Sequence, residues 1–164
     1  MQTTKMVCAG EGHYHKGYYI YGGEDKLRTI NNPEWHFSDE QDEEPGYAYE
    51  DAYIFRMGAC HLFSFALHEL IGYSSYEAKD KEGHLIHSFC IANYHGQKVF
   101  IDVLGITTKW EEFWSGFPSN LKGIRIEKQK MDRSQMTEDE LFGYRFARWI
   151  IEQNRDFYTL GYAF

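Results

Sequence analysis

The chain has 164 residues, of which 43% are hydrophobic and 18% aromatic, and its formal net charge is −8. One hydrophobic core commonly supports about 100 to 200 residues, so we expect a single folded domain and no global disorder. The negative charge argues against a nucleic-acid partner, because phosphate binding needs clustered Lys and Arg.

Targeting signals are not apparent. No apolar run approaches the ~20 residues that cross a bilayer, and the first residues lack the apolar core of a secretory signal. We therefore expect no membrane partner and a cytoplasmic location, or delivery into a host cytoplasm. Cys8, Cys60 and Cys90 form no CxxC pair and no disulfide framework, which favours a reducing compartment and leaves one thiol free for reactivity.

Residues 1–46 are polar and rich in Gly, Asn and Pro. They predict a loop-rich segment of the same domain, with one short strand at residues 18–21 that ends at Gly22 and Gly23. Residues 38–46 (SDEQDEEPG) form a charge run without an apolar member. A solvated loop is the expectation there, and an electrostatic attraction for a basic partner is the alternative.

An amphipathic helix is predicted to begin at or just before Cys60 and to end at Gly72, which accepts the left-handed conformation of a C-terminal cap. Apolar residues recur along it at steps of one, three and four. They are Leu62, Phe63, Ala66, Leu67, Leu70 and Ile71.

Strands follow this helix. Residues 85–93 and 98–105 are rich in β-branched and aromatic residues and are joined by a turn at residues 94–97, which predicts a β-hairpin. An earlier strand at about residues 73–78 is expected to pair with it. A later one at residues 121–129 alternates apolar and charged residues, as a half-buried strand does.

Two further helices are predicted from capping boxes, in which a Thr hydroxyl and a Glu side chain satisfy free backbone donors. Thr108 with Glu111 opens a short helix. Thr137 with Glu140 opens a long one that runs to about Asn154.

Cys60 lies where a thiol is easily ionised. The first turn of a helix has a positive dipole end and unpaired backbone amides, and both favour thiolate over thiol. The same amides could donate to an oxyanion that forms when the thiolate attacks a carbonyl.

The hairpin register supplies a partner for this thiol. With Tyr94 opposite Gln97, Asp102 faces Phe89, and His87 lies on the same side as Asp102, with Cβ atoms roughly 5 to 8 Å apart. The carboxylate could then accept a proton from one imidazole nitrogen and leave the other for the thiol. A slip of one residue would separate the two groups.

The segments GACHLFSFALHELIG, LIHSFCIAN and KVFIDVLG resemble, in this order, the cysteine, histidine and aspartate blocks of the papain-like superfamily. They are most similar to NlpC/P60-type peptidases, transglutaminase-like hydrolases and effector proteases or deamidases. The resemblance covers about Gly58 to Gly105. It implies an α+β fold in which the nucleophile-bearing helix packs on an antiparallel sheet, with residues 47–164 as the catalytic domain.

The same resemblance implies Cys60 as nucleophile, His87 as general base and acid, and Asp102 as the group that orients His87. Many relatives have another polar side chain upstream of the cysteine that assists the oxyanion. Tyr53 and Arg56 are the candidates here. The function implied is cysteine-dependent hydrolysis of an amide in a protein or peptide substrate, by a phage or effector protein with a host protein as possible target.

Two alternatives remain open. The same triad could pass its acyl group to an amine, as a transglutaminase or acyltransferase does. The chain could instead be a non-catalytic binding protein or inhibitor that occupies a host protein with its acidic, aromatic-rich surface. We expect Cys90, which faces Ile101, to be a core residue and Cys8 to be incidental.

No cofactor is expected, and no histidine spacing reproduces a zinc site. The Trp110, Phe113 and Trp114 cluster is expected to be core or a groove wall. The loosely spaced metal-ligand sets are His61 with His68, His13 with His15, and His84 with His87 and Cys90.

Overall fold

The computed structural model describes residues 54–114, 117 and 123–163, together with the backbone of four two-residue strands nearer the N-terminus. β1 (Thr4–Lys5) pairs with β4 (Ile30–Asn31), and β2 (Tyr18–Tyr19) pairs with β3 (Leu27–Arg28), both antiparallel. The prediction of a single strand here was therefore wrong, although β2 falls at the expected place. The acidic run at residues 38–46, and Cys8, lie outside the described residues.

The main feature is an antiparallel sheet of five strands in the order β8, β7, β6, β5, β9. Together with the helices it makes the chain α+β, as predicted. The strands are β5 (Ser74–Lys79), β6 (Leu85–Tyr94), β7 (Gln97–Asp102), β8 (Gly105–Thr107) and β9 (Arg125–Lys128).

The register of the β6–β7 hairpin is the predicted one. Tyr94 pairs with Gln97, and the ladder continues without a slip to Cys90 opposite Ile101. β5 pairs with β6 as expected from the turn between them. Because side chains alternate along a strand, this register decides which residues share a face.

β7 is shorter than the sequence suggested. It ends at Asp102, and Val103 with Leu104 forms a tight connection to β8, where Gly105 pairs with Asp102 at a φ of 113°. Tyr158 Oη supports this connection by donating to Val103 O at 2.7 Å. Val103 and Leu104 pack on the hydrophobic core, so their apolar character reflects burial in a connection rather than a longer β7.

The helices are α1 (Ile54–Met57), α2 (Cys60–Ile71), α3 (Trp110–Phe113), α4 (Glu138–Gln153) and α5 (Leu160–Ala163), with 3-10 turns at Arg133–Gln135 and Arg155–Tyr158. α2 has the predicted bounds and is capped by Gly72 at a φ of 97°. The capping box that opens α4 is present. No helix in the described ranges has the length and apolar content needed to cross a bilayer.

The predicted capping box at Thr108 and Glu111 was wrong. α3 begins at Trp110 after Lys109, and no side chain caps it. The preceding Thr107 supplies the hydroxyl instead: its Oγ1 accepts from Lys109 N at 3.0 Å and donates to Glu112 Oε1 at 2.5 Å.

Two hydrophobic clusters lie on opposite faces of the sheet. The first contains α2, α4 and the inward residues of β6 and β7, among them Cys90 and Ile101, so Cys90 is a core residue as predicted. The second packs α3 against the other face. Phe113 and Trp114 are core residues there, as one of the two expectations had it, whereas Trp110 is 37% exposed. The buried members of this second cluster are Ala78, Phe89, Phe100, Phe113 and Trp114.

β9 is an edge strand rather than the half-buried strand expected. Each of its residues is exposed, including Ile126 at 38%. It pairs with β5 on one side only.

Candidate active site

Cys60 is the first residue of α2, and its N-cap, Ala59, makes no side-chain hydrogen bond. The backbone amides of the first turn of any helix have no partner within the helix. The residue is 5% exposed. The thiol therefore lies at the positive end of a 12-residue helix, close beneath the surface.

The sulfur accepts a backbone hydrogen bond from β6 at the point where β7 has ended. Continuing the β6–β7 register would place Ser88 opposite Val103, but β7 has already ended at Asp102. Ser88 N donates instead to Cys60 Sγ at 3.2 Å. The nucleophile candidate thus takes the hydrogen bond that a longer β7 would have made.

His87 and Asp102 are in contact, as the register required. His87 Nε2 lies 2.9 Å from Asp102 Oδ2, and the two side chains are 0% and 2% exposed. His87 stands at a bulge: Ala78 pairs with His87 and Lys79 with Leu85, so Ile86 is the extra residue. Bulges re-aim neighbouring side chains and are frequent beside active sites.

Arg56, which the sequence offered as an oxyanion donor, lies behind Asp102. Its Nη1 donates to Asp102 Oδ2 at 2.6 Å and its Nη2 donates to Phe113 O at 3.0 Å. Asp102 Oδ1 also accepts from Leu104 N at 2.9 Å. Tyr53, the other candidate, lies outside the described residues.

The three candidate catalytic groups shift one another's protonation. Burial opposes ionisation of Asp102, but the charge of Arg56 and the bond from His87 lower the pKa of the carboxyl below 3.8. Burial likewise opposes a charged imidazole, yet Asp102 and Cys60 raise the pKa of His87 above 6.5. Against its own burial, the nearby His87 and the Ser88 N–H lower the pKa of the Cys60 thiol below 9.0. These directions favour a thiolate beside an imidazolium.

The imidazole of His87 lies among four aromatic rings. Ring centroids are 4.8 Å away for Phe117, 5.8 Å for Phe113, 6.0 Å for Phe89 and 6.2 Å for Trp114. The sequence indicated a core role for part of this set, but not that the set surrounds the histidine. Apolar walls of this kind exclude water and strengthen the electrostatic interactions inside them.

Buried polar atoms without a hydrogen-bond partner are concentrated here. Among the described residues they are His87 Nδ1, Ser88 Oγ and Trp114 Nε1. His87 Nδ1 is the nitrogen that does not contact Asp102, and His87 lowers the pKa of the Cys60 thiol. Unsatisfied groups are rare in folded proteins and often mark a functional site.

Gln129 connects the start of α2 to the sheet, a role that the sequence did not reveal. Its Oε1 accepts from the hydroxyls of Ser64 and Ser75, and its Nε2 donates to His61 O at 3.0 Å. Through the bond to His61 O, Gln129 holds the backbone of the residue that follows Cys60 in the chain.

Of the metal-ligand sets considered from the sequence, His13 with His15 lies outside the described residues. His84, His87 and Cys90 form no metal-ligand group within the described ranges; the group that does form is Asp80, Glu82 and His84, on the exposed turn between β5 and β6. Asp80 there accepts from Glu82 N and His84 N, which explains the cluster as a stabilised turn. A groove of about 880 Å³ between α2, residues 131–134 and α4 includes none of the candidate catalytic residues.

Comparisons of the chain with protein-family models, with curated proteins and with solved structures found no match.

Proposed function

We propose that the chain is a cysteine-dependent amide hydrolase of papain-like type, acting as a peptidase, isopeptidase or deamidase. Cys60 is the nucleophile, His87 the base and acid, and Asp102 the group that orients His87. The observation that carries the proposal is the 2.9 Å contact between His87 Nε2 and Asp102 Oδ2, which leaves Nδ1 of the same imidazole available to the Cys60 thiol, whose pKa His87 lowers. The chain order of the three residues also fits the resemblance of their sequence blocks.

In the first step His87 Nδ1 holds the proton of Cys60. The thiolate attacks the amide carbon, a C–S bond forms, and the carbonyl electrons move to oxygen. His87 then gives its proton to the departing nitrogen as the C–N bond breaks, leaving a thioester. Asp102 keeps the imidazole in one tautomer and stabilises its charged form.

In the second step water resolves the thioester. His87 takes a proton from water, the oxygen attacks the acyl carbon, and the C–S bond breaks to return the thiolate. We expect the backbone N–H groups of Cys60 and His61 to donate to the oxyanion in both steps, since Leu62 N is already bonded to Ala59 O.

Labelling of the thiol tests the proposal. The wild-type protein is incubated near neutral pH with a peptidyl acyloxymethyl ketone, and the adduct is located by mass spectrometry. One adduct at Cys60, absent from Cys60→Ala, is expected. An adduct on Cys8 or Cys90 with Cys60 unmodified would refute the assignment. With a peptide that is turned over, an added amine acceptor then separates hydrolysis from acyl transfer by the product formed.

Burial of the site favours a second candidate, a non-catalytic binding protein. Cys60 is 5% exposed and His87 is 0% exposed, so the same three residues could form a polar core cluster that only supports the fold. This candidate predicts that Cys60→Ala retains the full biological effect of the protein. Loss of that effect in a folded Cys60→Ala variant would exclude it.

A further inference from the structure

Arg56 is a buried cation next to the candidate site. Its side chain is 4% exposed, its guanidinium lies 2.6 Å from Asp102, and its Cζ lies 4.4 Å from the centre of the Phe117 ring. That ring in turn contacts His87 at 4.8 Å. A charge held so far from water needs a compensating partner, and Asp102 is that partner.

Among the described residues, the charges of the site balance only when Arg56 is counted. A thiolate, an imidazolium and a carboxylate together carry one net negative charge. The guanidinium brings the buried set to zero, with signs alternating from Cys60 through His87 and Asp102 to Arg56. Without it, the interior would carry a net negative charge and would tend to take up a proton, which reprotonates the thiol or the carboxyl.

We infer that Arg56 is a positioning residue of the catalytic set: it keeps Asp102 ionised and aligned, and it thereby allows Cys60 to exist as a thiolate. This inference rests on the proposed function. It assigns to Arg56 a charge role, distinct from the oxyanion contact that the sequence suggested. The bond from Nη2 to Phe113 O fixes the guanidinium to the residue that ends α3 and so sets its position.

Few other titratable groups face the candidate catalytic residues, so few can affect the ionisation of Cys60. Among the described residues the titratable groups at the site are Cys60 from α2, His87 and Cys90 from β6, Asp102 from β7 and Arg56 from α1. Burial raises the pKa of Cys90, which keeps it a neutral thiol. From the α3 side the contacts are aromatic rings, while Glu112 is bonded to Thr107.

The experiment follows alkylation of Cys60 by iodoacetamide as a function of pH, in a Cys8→Ser background. Arg56→Met is expected to raise the midpoint of the profile by about a few tenths of a pH unit or more. Opposite charges in contact typically shift a pKa by about one to three, and that full effect falls on Asp102 and reaches Cys60 only through His87. Arg56→Lys, which keeps the charge but loses the double contact, is expected to stay near the wild-type midpoint. Arg125→Met, at an exposed arginine, is the control and should change nothing.

A folded Arg56→Met protein with the wild-type midpoint would overturn the inference. If Arg56→Met does not fold, Arg56→Lys decides alone: a wild-type midpoint supports the charge role, and a raised midpoint in folded protein refutes it. A wild-type profile with the midpoint of an ordinary thiol would instead refute the proposed function, so the two failures are distinguishable.

Discussion

Ser88 N donates to Cys60 Sγ at 3.2 Å, so a strand of the sheet and the first residue of a helix meet at the sulfur. The contact exists because β7 ends at Asp102, one residue before Val103, which would have paired with Ser88. A hydrogen bond to sulfur stabilises the thiolate more than the thiol. The early end of β7 is therefore part of the site, since it opens the place that Cys60 occupies.

The hydroxyl of Ser88 is buried and has no hydrogen-bond partner at ordinary geometry, yet it lies near enough to the sulfur to help lower the Cys60 pKa. Ser88→Ala should leave the free energy of unfolding unchanged within about 1 kcal/mol, because no bonded partner is lost. The pKa of Cys60 should rise. Urea denaturation and alkylation profiles measure the two effects.

Ser75→Ala is the matched control, because its hydroxyl is bonded to Gln129. It should cost about 1 kcal/mol and leave the Cys60 pKa as it is. The reverse pattern, a stable Ser75→Ala and a strongly destabilised Ser88→Ala, would contradict the described contacts.

His87→Asn should slow alkylation of Cys60 near neutral pH by about tenfold or more, because each step of one in pKa changes the thiolate fraction tenfold. His84→Asn, at a side chain that is 75% exposed, should have no effect. Equal rates for wild type and folded His87→Asn would show that the imidazole does not act on the thiol.

Arg56 and Asp102 should be coupled in stability. Removing either partner leaves the other charge buried, so Arg56→Met and Asp102→Asn should each cost about 3 to 5 kcal/mol. The double variant should cost less than the sum by about 1 to 3 kcal/mol. Additive losses in urea denaturation would mean that the 2.6 Å contact contributes nothing.

The stabilisation that Asp102 contributes depends on pH, because its carboxyl group titrates. The folded pKa of Asp102 is lowered from 3.8, so its stabilising contribution is present above that value and is lost as the pH falls through the lower, folded pKa. On the acid side, the stability difference between wild type and Asp102→Asn should therefore narrow only below 3.8. It should narrow again as the pH rises through the raised pKa of His87, because Asp102 then no longer faces a charged imidazolium. A narrowing confined to the range between 3.8 and 6.5 would be inconsistent with these two pKa directions.

Gly105→Ala should destabilise the chain by about 1 to 3 kcal/mol. Gly105 has a φ of 113°, and a Cβ there would lie 2.9 Å from Phe157 Cζ. At Gly72 the φ is 97° and an added Cβ would have no atom within 4 Å, so Gly72→Ala carries the backbone strain alone. It should therefore lower the free energy of unfolding by less than Gly105→Ala does. Equal losses in thermal unfolding would show that the Phe157 contact relaxes freely.

Local signals predicted the parts of this fold that depend on neighbouring residues. The spacing of apolar residues together with Gly72 predicted the bounds of α2, and the capping box predicted the start of α4. The turn at residues 94–97 predicted the β6–β7 register. That register brought His87 to Asp102, because a period of two decides the face of each side chain.

Parts that depend on distant contacts were not predictable. β8 has three residues, too few for an alternating pattern, and the apolar connection before it resembled a continuing strand. Arg56 carries no sequence mark of its bond to Asp102, which lies 46 residues away. Phe117 and Trp114 gave no sign that they surround His87, because only the packing of α3 on the sheet places them there.

The ionisation of Cys60 is the central claim, and the ultraviolet absorbance of a thiolate measures it directly. The difference between wild type and Cys60→Ala is followed from about pH 5 to pH 10, a range that spans the ordinary thiol pKa. We predict a transition below the ordinary value of 9.0 for Cys60, because His87 and the Ser88 N–H favour the thiolate against the burial of the sulfur. A transition at or above 9.0 in the folded protein would contradict the proposed nucleophile.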